Sequence, residues 1–155
     1  MSKKKVLFLC TANSARSQMA EALVNHDLSD LFEAFSAGMS PATPRPEALQ
    51  VLAEIGIDHS RARSKSIDEF EGQPFDYVIT LCGAANEACP LFFGGVERVH
   101  LGFEDPAQVK GTGEEILAAF RKVRDEIRET VEAYLKSARS VSPPDPEDEG
   151  KAHRP

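Results

Sequence analysis

Apolar residues fall along this chain in two rhythms. Val6-Leu7-Phe8-Leu9 is an unbroken run of strand length, the pattern of a strand buried on both faces in a parallel sheet. Met19, Ala20, Leu23 and Val24 then repeat at helical spacing, so a helix follows after a short loop. Leu31 to Ala37 predicts a second strand, ending at Gly38. Beyond a proline-punctuated loop, Thr43 reads as an N-cap with Pro44 at the first helical position, and Ala48, Leu49, Val51, Leu52 and Ile55 line one side of a helix that Gly56 stops. Ile67 and Phe70 mark a short helix or turn over 64 to 70. Asp76 to Leu81 and Val96 to Leu101 predict a third and a fourth strand. Thr112 and Glu115 then have capping-box spacing ahead of Ile116, Phe120, Val123, Ile127, Val131 and Tyr134, the stripe of a long amphipathic helix.

Strands alternating with helices indicate an α/β fold: an open, mainly four-stranded parallel sheet flanked by helices. Ligands of such sheets bind at the carboxyl ends of the strands, near the point where strand order reverses. Cys10 follows the first strand, Cys82 the third, and Asp105 lies a few residues past the fourth, so three reactive groups are expected at one edge.

The length of 155 residues fits one domain, placed here at 1 to 136. From Ser137 onward Ser, Pro, Asp, Glu and Lys dominate, and a disordered polar tail over 137 to 155 is expected. The net charge of −7 argues against nucleic acid or an anionic membrane as a partner. The apolar runs are too short for a transmembrane helix or signal peptide, which predicts a cytoplasmic protein, and a monomer is expected. Three cysteines without a Cys-x2-Cys pair suit neither a secreted disulfide framework nor a zinc ribbon.

The turn from the first strand into the first helix carries the chemistry. Thr11, Ala12, Asn13, Ser14 and Ala15 are small or polar residues whose N–H groups can converge on an anion ahead of a helix N-terminus. Those dipoles, the Arg16 guanidinium and the Ser17 hydroxyl favour thiolate over thiol at Cys10. The loop therefore holds a tetrahedral oxyanion and presents a sulfur nucleophile to its central atom, with Arg16 placed to chelate two oxygens.

A second constellation lies at Cys82 and Cys89, with Gly83 and small or polar residues between them. In a helix their Cα atoms would be about 10 Å apart at about 1.5 Å per residue, beyond the about 7 Å reach of a disulfide. A bond between them requires local unwinding, which Gly83 makes easy. The segment reads as a redox switch or as two structural thiols; a zinc site with His100 has unsuitable spacing. His26, His59 and His153 lie in polar stretches and read as solvated surface.

The motifs Cys-Thr-x-Asn-Ser-x-Arg-Ser-Gln-Met-Ala-Glu, Thr-Leu-Cys-Gly-x5-Cys-Pro and Gly-Phe-x-Asp-Pro-Ala, in this order over residues 4 to 136, resemble those of the thioredoxin-coupled arsenate reductases of the low-molecular-weight tyrosine phosphatase-like family. The resemblance implies that arsenate, with phosphate or sulfate as competing oxyanions, binds between Cys10 and Ser17. Cys10 attacks arsenic while Asp105 protonates the departing oxygen. It further implies that Cys82 then attacks Cys10, that Cys89 attacks Cys82, and that thioredoxin reduces the Cys82-Cys89 disulfide. No metal cofactor is implied for the reaction itself. Related reductases support the loop with a potassium ion held by residues matching Asn13, Glu21 and Ser36 and by an aspartate where this chain has Lys65; the ammonium group either replaces the ion, bonding towards Asn13 and Glu21, or is a solvated surface lysine. Some members also carry a further cysteine where this chain has Ala15, which no step needs. The alternative within the same fold is a low-molecular-weight tyrosine phosphatase. Against it, the Asp105-Pro106 acid is followed by Ala107 rather than tyrosine, and residues 39 to 50 contain no aromatic wall.

Overall fold

A computed structural model describes residues 3–70, 72–82 and 97–140, except for the side chains of Arg139 and Ser140. Strands β1 (Lys4–Cys10), β2 (Phe32–Gly38), β3 (Tyr77–Thr80) and β4 (Glu97–His100) form one parallel sheet in the order β2-β1-β3-β4. Helices α1 (Arg16–Asp27), α2 (Pro46–Ala53) and α3 (Gly113–Ser140) and 3-10 turns at Ile67–Phe70 and Pro106–Gln108 complete the described elements. The expected α/β architecture is the one found. β1 lies inside the sheet, paired on both edges, and Val6 to Leu9 are fully buried on both faces, as an unbroken apolar strand requires.

Strand order reverses between β1 and β3, so the ligand crevice of this topology lies at their carboxyl ends. Leu9 pairs with Thr80, and the ladder continues through Leu81 N–H to Leu9 O at 2.8 Å. Cys10 and Cys82 therefore leave neighbouring strands at the same edge. On β2 the side chains alternate between faces. Ser36 reaches Glu21 of α1, so Phe35 points the other way and packs edge-on against Phe70 and Phe75. Ile67 and Phe70 are buried, as their sequence pattern predicts.

Two helix boundaries differ from the sequence expectation. Helix α2 starts at Pro46 with Arg45 as its N-cap, not at Pro44 after Thr43. The reason is the proline itself: its ring excludes the helical region for the preceding residue, and Arg45 is held extended at φ −73°, ψ 130°. Gly56 does end the helix, at φ +85°, while Ile57 N–H returns to Leu52 O at 3.0 Å. Helix α3 opens on the reciprocal Thr112–Glu115 capping box but runs to Ser140, past the boundary expected at 137, because the buried stripe continues through Leu135 and Ala138. Tyr134 flanks that stripe and donates its hydroxyl to Glu97 at 3.1 Å. Residues 141 to 155, with His153, lie outside the described residues. Among the described residues no helix is long and apolar enough to cross a membrane.

Candidate active site

Residues 10 to 17 link β1 to α1 in a turn that wraps the carboxyl end of the sheet. Its outward carbonyls are occupied: Met39, Ser40, Ala42 and Arg45 donate backbone N–H groups to Cys10, Thr11, Ala12 and Ser14 at 2.8 to 3.3 Å. The loop N–H groups are thereby left for the interior of the turn. Helix α1 begins after Ala15, which has no side chain to cap it. Its first-turn donors, with the partial positive charge of a helix N-terminus, are open to an anion in place of a cap. Gly38 permits the approach of β2 to the loop. A Cβ there would meet Thr11 O, Asn13 N and Ala12 C at 2.7 to 2.9 Å, all backbone atoms that cannot step aside.

Asn13 takes the left-handed conformation at φ 51°, which asparagine tolerates better than most residues. Its amide is fixed from both ends. The Oδ1 accepts from Lys65 N–H at 2.8 Å and Gln18 Nε2 at 3.1 Å, so Nδ2 faces Ser17 and donates to Oγ at 2.7 Å. Ser17 Oγ, already an acceptor, has its proton free for Cys10 Sγ at 2.9 Å. That arrangement aims a hydroxyl donor at the sulfur. Asn13, Ser17 and Gln18 are fully buried and Cys10 nearly so, which holds this geometry away from water.

The opposite wall is Asp105. It caps the Pro106–Gln108 turn by accepting Ala107 N–H at 3.0 Å, and its other oxygen lies 3.4 Å from Arg16 Nη2. Arg16 also donates to Phe103 O at 3.2 Å, while its Nε is buried with no partner among the described residues. A guanidinium held at both Nη atoms, with Nε left over, keeps a donor for an oxyanion in the cavity. Cys10, Thr11, Ala12, Ser14, Arg16 and Asp105 line a cavity of about 320 Å³, ample for one tetrahedral anion. Cys82 is a buried free thiol whose Sγ lies 3.2 Å from Thr11 Oγ1, placing it against the residue that follows Cys10. Cys89 lies outside the described residues.

Behind the loop, Ser36 donates its hydroxyl to Glu21, and Lys65 Nζ lies 3.7 Å from the same carboxylate oxygen and 3.0 Å from Arg63 O. Of the two contacts expected of the Lys65 ammonium, the structure has the one with Glu21 and not the one with Asn13. There the backbone N–H of Lys65 makes the bond, because the ammonium has turned to Glu21 and the Arg63 carbonyl. His59 also departs from expectation. It is half-buried, with Nε2 2.8 Å from Gln18 Oε1, rather than solvated. His26 is exposed beside Asp27, and His100 bonds Thr80 Oγ1 through Nδ1 at 2.9 Å. Sequence reasoning gave no role to Gln18, Ser64, Gly38 or the Phe103 carbonyl. Of these only Gln18 left a trace, as a polar side chain inside the Arg16-Ser17-Gln18-Met19 motif on an otherwise apolar helix face.

The family model described as low molecular weight phosphotyrosine protein phosphatase matches residues 5–142. An arsenate reductase of Halalkalibacterium halodurans is 45% identical over 139 residues, covering 90% of this chain and 100% of that protein. Among solved structures, an arsenate reductase in the phosphate binding state is 31% identical with a TM-score of 0.74, covering 86% of this chain and 98% of that one. The thioredoxin-dependent arsenate reductase of Corynebacterium glutamicum is 30% identical with a TM-score of 0.62, covering 87% of this chain and 63% of its own.

Proposed function

This chain belongs to the low molecular weight phosphotyrosine protein phosphatase family, and from that premise we propose that it is an arsenate reductase that takes its electrons from a thioredoxin in a reducing cytoplasm. Its role is then arsenic detoxification. The observation that carries this reading is the seat of Cys82. A phosphatase needs one thiol in the loop, whereas here a second thiol is held at 3.2 Å from Thr11, beside the first.

Arsenate enters the cavity with its oxygens on the loop N–H groups and the free donor of Arg16. The Cys10 thiolate, held by Ser17, attacks arsenic. Asp105 gives a proton to the departing oxygen, which leaves as water, and an arsenic–sulfur bond remains. Cys82 attacks the sulfur of Cys10. The new sulfur–sulfur bond forms as the sulfur–arsenic bond breaks, its electron pair stays on arsenic, and arsenite departs. Cys89 then attacks Cys82, releasing Cys10, and the dithiol of thioredoxin reduces the Cys82-Cys89 disulfide by exchange. Two thiols have supplied the two electrons that reduce arsenic.

The test is thiol counting by mass spectrometry on the fully reduced protein, before and after one equivalent of arsenate with no other reductant. Loss of two thiols, a Cys82–Cys89 link and released arsenite are expected. If all three thiols survive while an aryl phosphate is hydrolysed, the chain is a phosphatase and the reading fails.

A further inference from the structure

We propose that His59 is a positioning residue for the nucleophile: through Gln18 it fixes the Asn13 amide that presents Ser17 to Cys10. The proposal rests on Cys10 being the attacking thiol. Its basis is a continuous chain of hydrogen bonds that begins at a half-buried ring and ends on the reactive sulfur.

The orientation of each link follows from the one before it. Gln18 Nε2 lies among three oxygens, Asn13 O at 3.0 Å, Asn13 Oδ1 at 3.1 Å and Arg63 O at 3.0 Å. A flipped amide would set its own oxygen against those three, so the nitrogen end is fixed and Oε1 faces His59. An acceptor at 2.8 Å requires a proton on His59 Nε2. Burial holds the ring below its ordinary titration range, with Glu21 and Asp58 opposing and Lys65 assisting, so at neutral pH the ring is uncharged and the donor is one tautomer. Gln18 itself is fully buried. Without the His59 donor its oxygen is a buried acceptor left unsatisfied, and the amide can regain a partner only by rotating Nε2 away from Asn13. The Asn13 amide then loses one of the two bonds that point Nδ2 at Ser17, and the Ser17 proton is directed less firmly at sulfur. Arg16 and the loop N–H groups make none of these bonds, and Asn13 O, which Gln18 Nε2 would release, keeps the Ser64 hydroxyl as a donor at 2.7 Å, so the anion cradle is held. His59 meets solvent in a cleft of about 280 Å³ shared with Glu21, Asp58, Ser60 and Arg61, which leaves room for substitutions there.

The measurement is the rate of Cys10 alkylation by iodoacetamide at neutral pH, which needs no arsenate. Failure of arsenate turnover in the parent protein would thus count against the proposed function and leave this test standing. His59→Leu, which fills the site without a donor, is expected to slow alkylation and to lower kcat by about three- to tenfold with KM unchanged. His59→Gln, whose amide can donate to the same oxygen, restores most of the rate. In a Ser17→Ala background His59→Leu adds no further effect, because the link it serves is gone. If the Leu variant folds poorly, Gln18→Met removes that link together with the Gln18 bonds to Asn13 and is expected to slow alkylation at least as much. Alkylation at the parent rate in the folded Leu or Met variant overturns the proposal, as does an undiminished effect of His59→Leu without Ser17.

Discussion

At the N-terminal end of α1 the side chains buried against the loop are neutral: Asn13, Ser17 and Gln18 pass hydrogen bonds to one another and to Cys10. At its C-terminal end they are charged. Asp27 receives both arms of Arg128 from α3 at 2.7 and 2.9 Å, lies 2.8 Å from His26, and hydrogen-bonds Glu132. Burial alone would raise Asp27; the bonds from Glu132, Arg128 and His26 outweigh it and hold the carboxyl well below its usual range. Burial and the neighbouring Asp27 push Glu132 the other way, up to about 8. The two ends face different requirements. The end that must attract an oxyanion keeps the cavity-lining carboxylate of Asp105 against the Arg16 guanidinium, and Glu21 is set behind the loop and paired with Lys65. An end that only docks α3 can use a two-armed ion pair, and accepts pH sensitivity in return.

Putting a charge into the neutral end is the strongest way to break this contrast. Asn13→Asp places a carboxylate where Nδ2 now donates to Ser17, turning the Ser17 proton away from sulfur and repelling both thiolate and substrate. Arsenate turnover at neutral pH is expected to fall by about 100-fold or more. A loss under about threefold would show that neutrality there is incidental. At the charged end the effect is smaller and lies in stability. Because Glu132 binds its proton more tightly in the folded protein than in the unfolded chain, its contribution is complete below the ordinary value of 4.5 and is lost as pH rises towards about 8. Asp27 has the opposite sign: its contribution is present above 3.8 and is lost in stronger acid. Glu132→Gln should flatten the decline in melting temperature between about pH 5 and 8, by no more than about 2 to 4 °C, since Glu132 is partly open to solvent. An unchanged pH profile in that variant would remove Glu132 from the account. The smallest expected effect concerns the layer behind the loop. We propose that the Lys65 ammonium stands in for a potassium ion beside Glu21, so exchanging potassium for sodium at constant ionic strength should leave turnover and melting temperature unchanged. A marked preference for potassium would show that Glu21 and Ser36 still recruit an ion.

How much of this was legible in the sequence depended on distance along the chain. β1, the loop and the start of α1 are contiguous, and a strand, an anion nest and a helix N-terminus are each written in neighbouring residues. Cys10, Arg16 and Ser17 could therefore be assigned together, and Asp105 and Cys82 followed from where their strands end. Support of the loop could not be read in this way. Gln18 meets His59 across 41 positions and Asn13 meets Ser64 across 51, and nothing local to His59 distinguishes it from a solvated histidine. Helix boundaries were misplaced for a related reason at Ser137, where a polar composition concealed that Ala138 continues a buried face.

By itself, then, the sequence determined the α/β class, the strand that delivers Cys10 to the loop and the oxyanion-binding type of the site, because hydrophobic period, loop composition and reactive residue types are properties of short segments. Only the tertiary structure decided that Cys82 lies against Thr11, that Gly38 is required beneath the loop, and which way the Asn13 and Gln18 amides point. Those depend on parallel register and on buried hydrogen bonds between segments far apart in the chain, where every donor must find an acceptor once water is excluded.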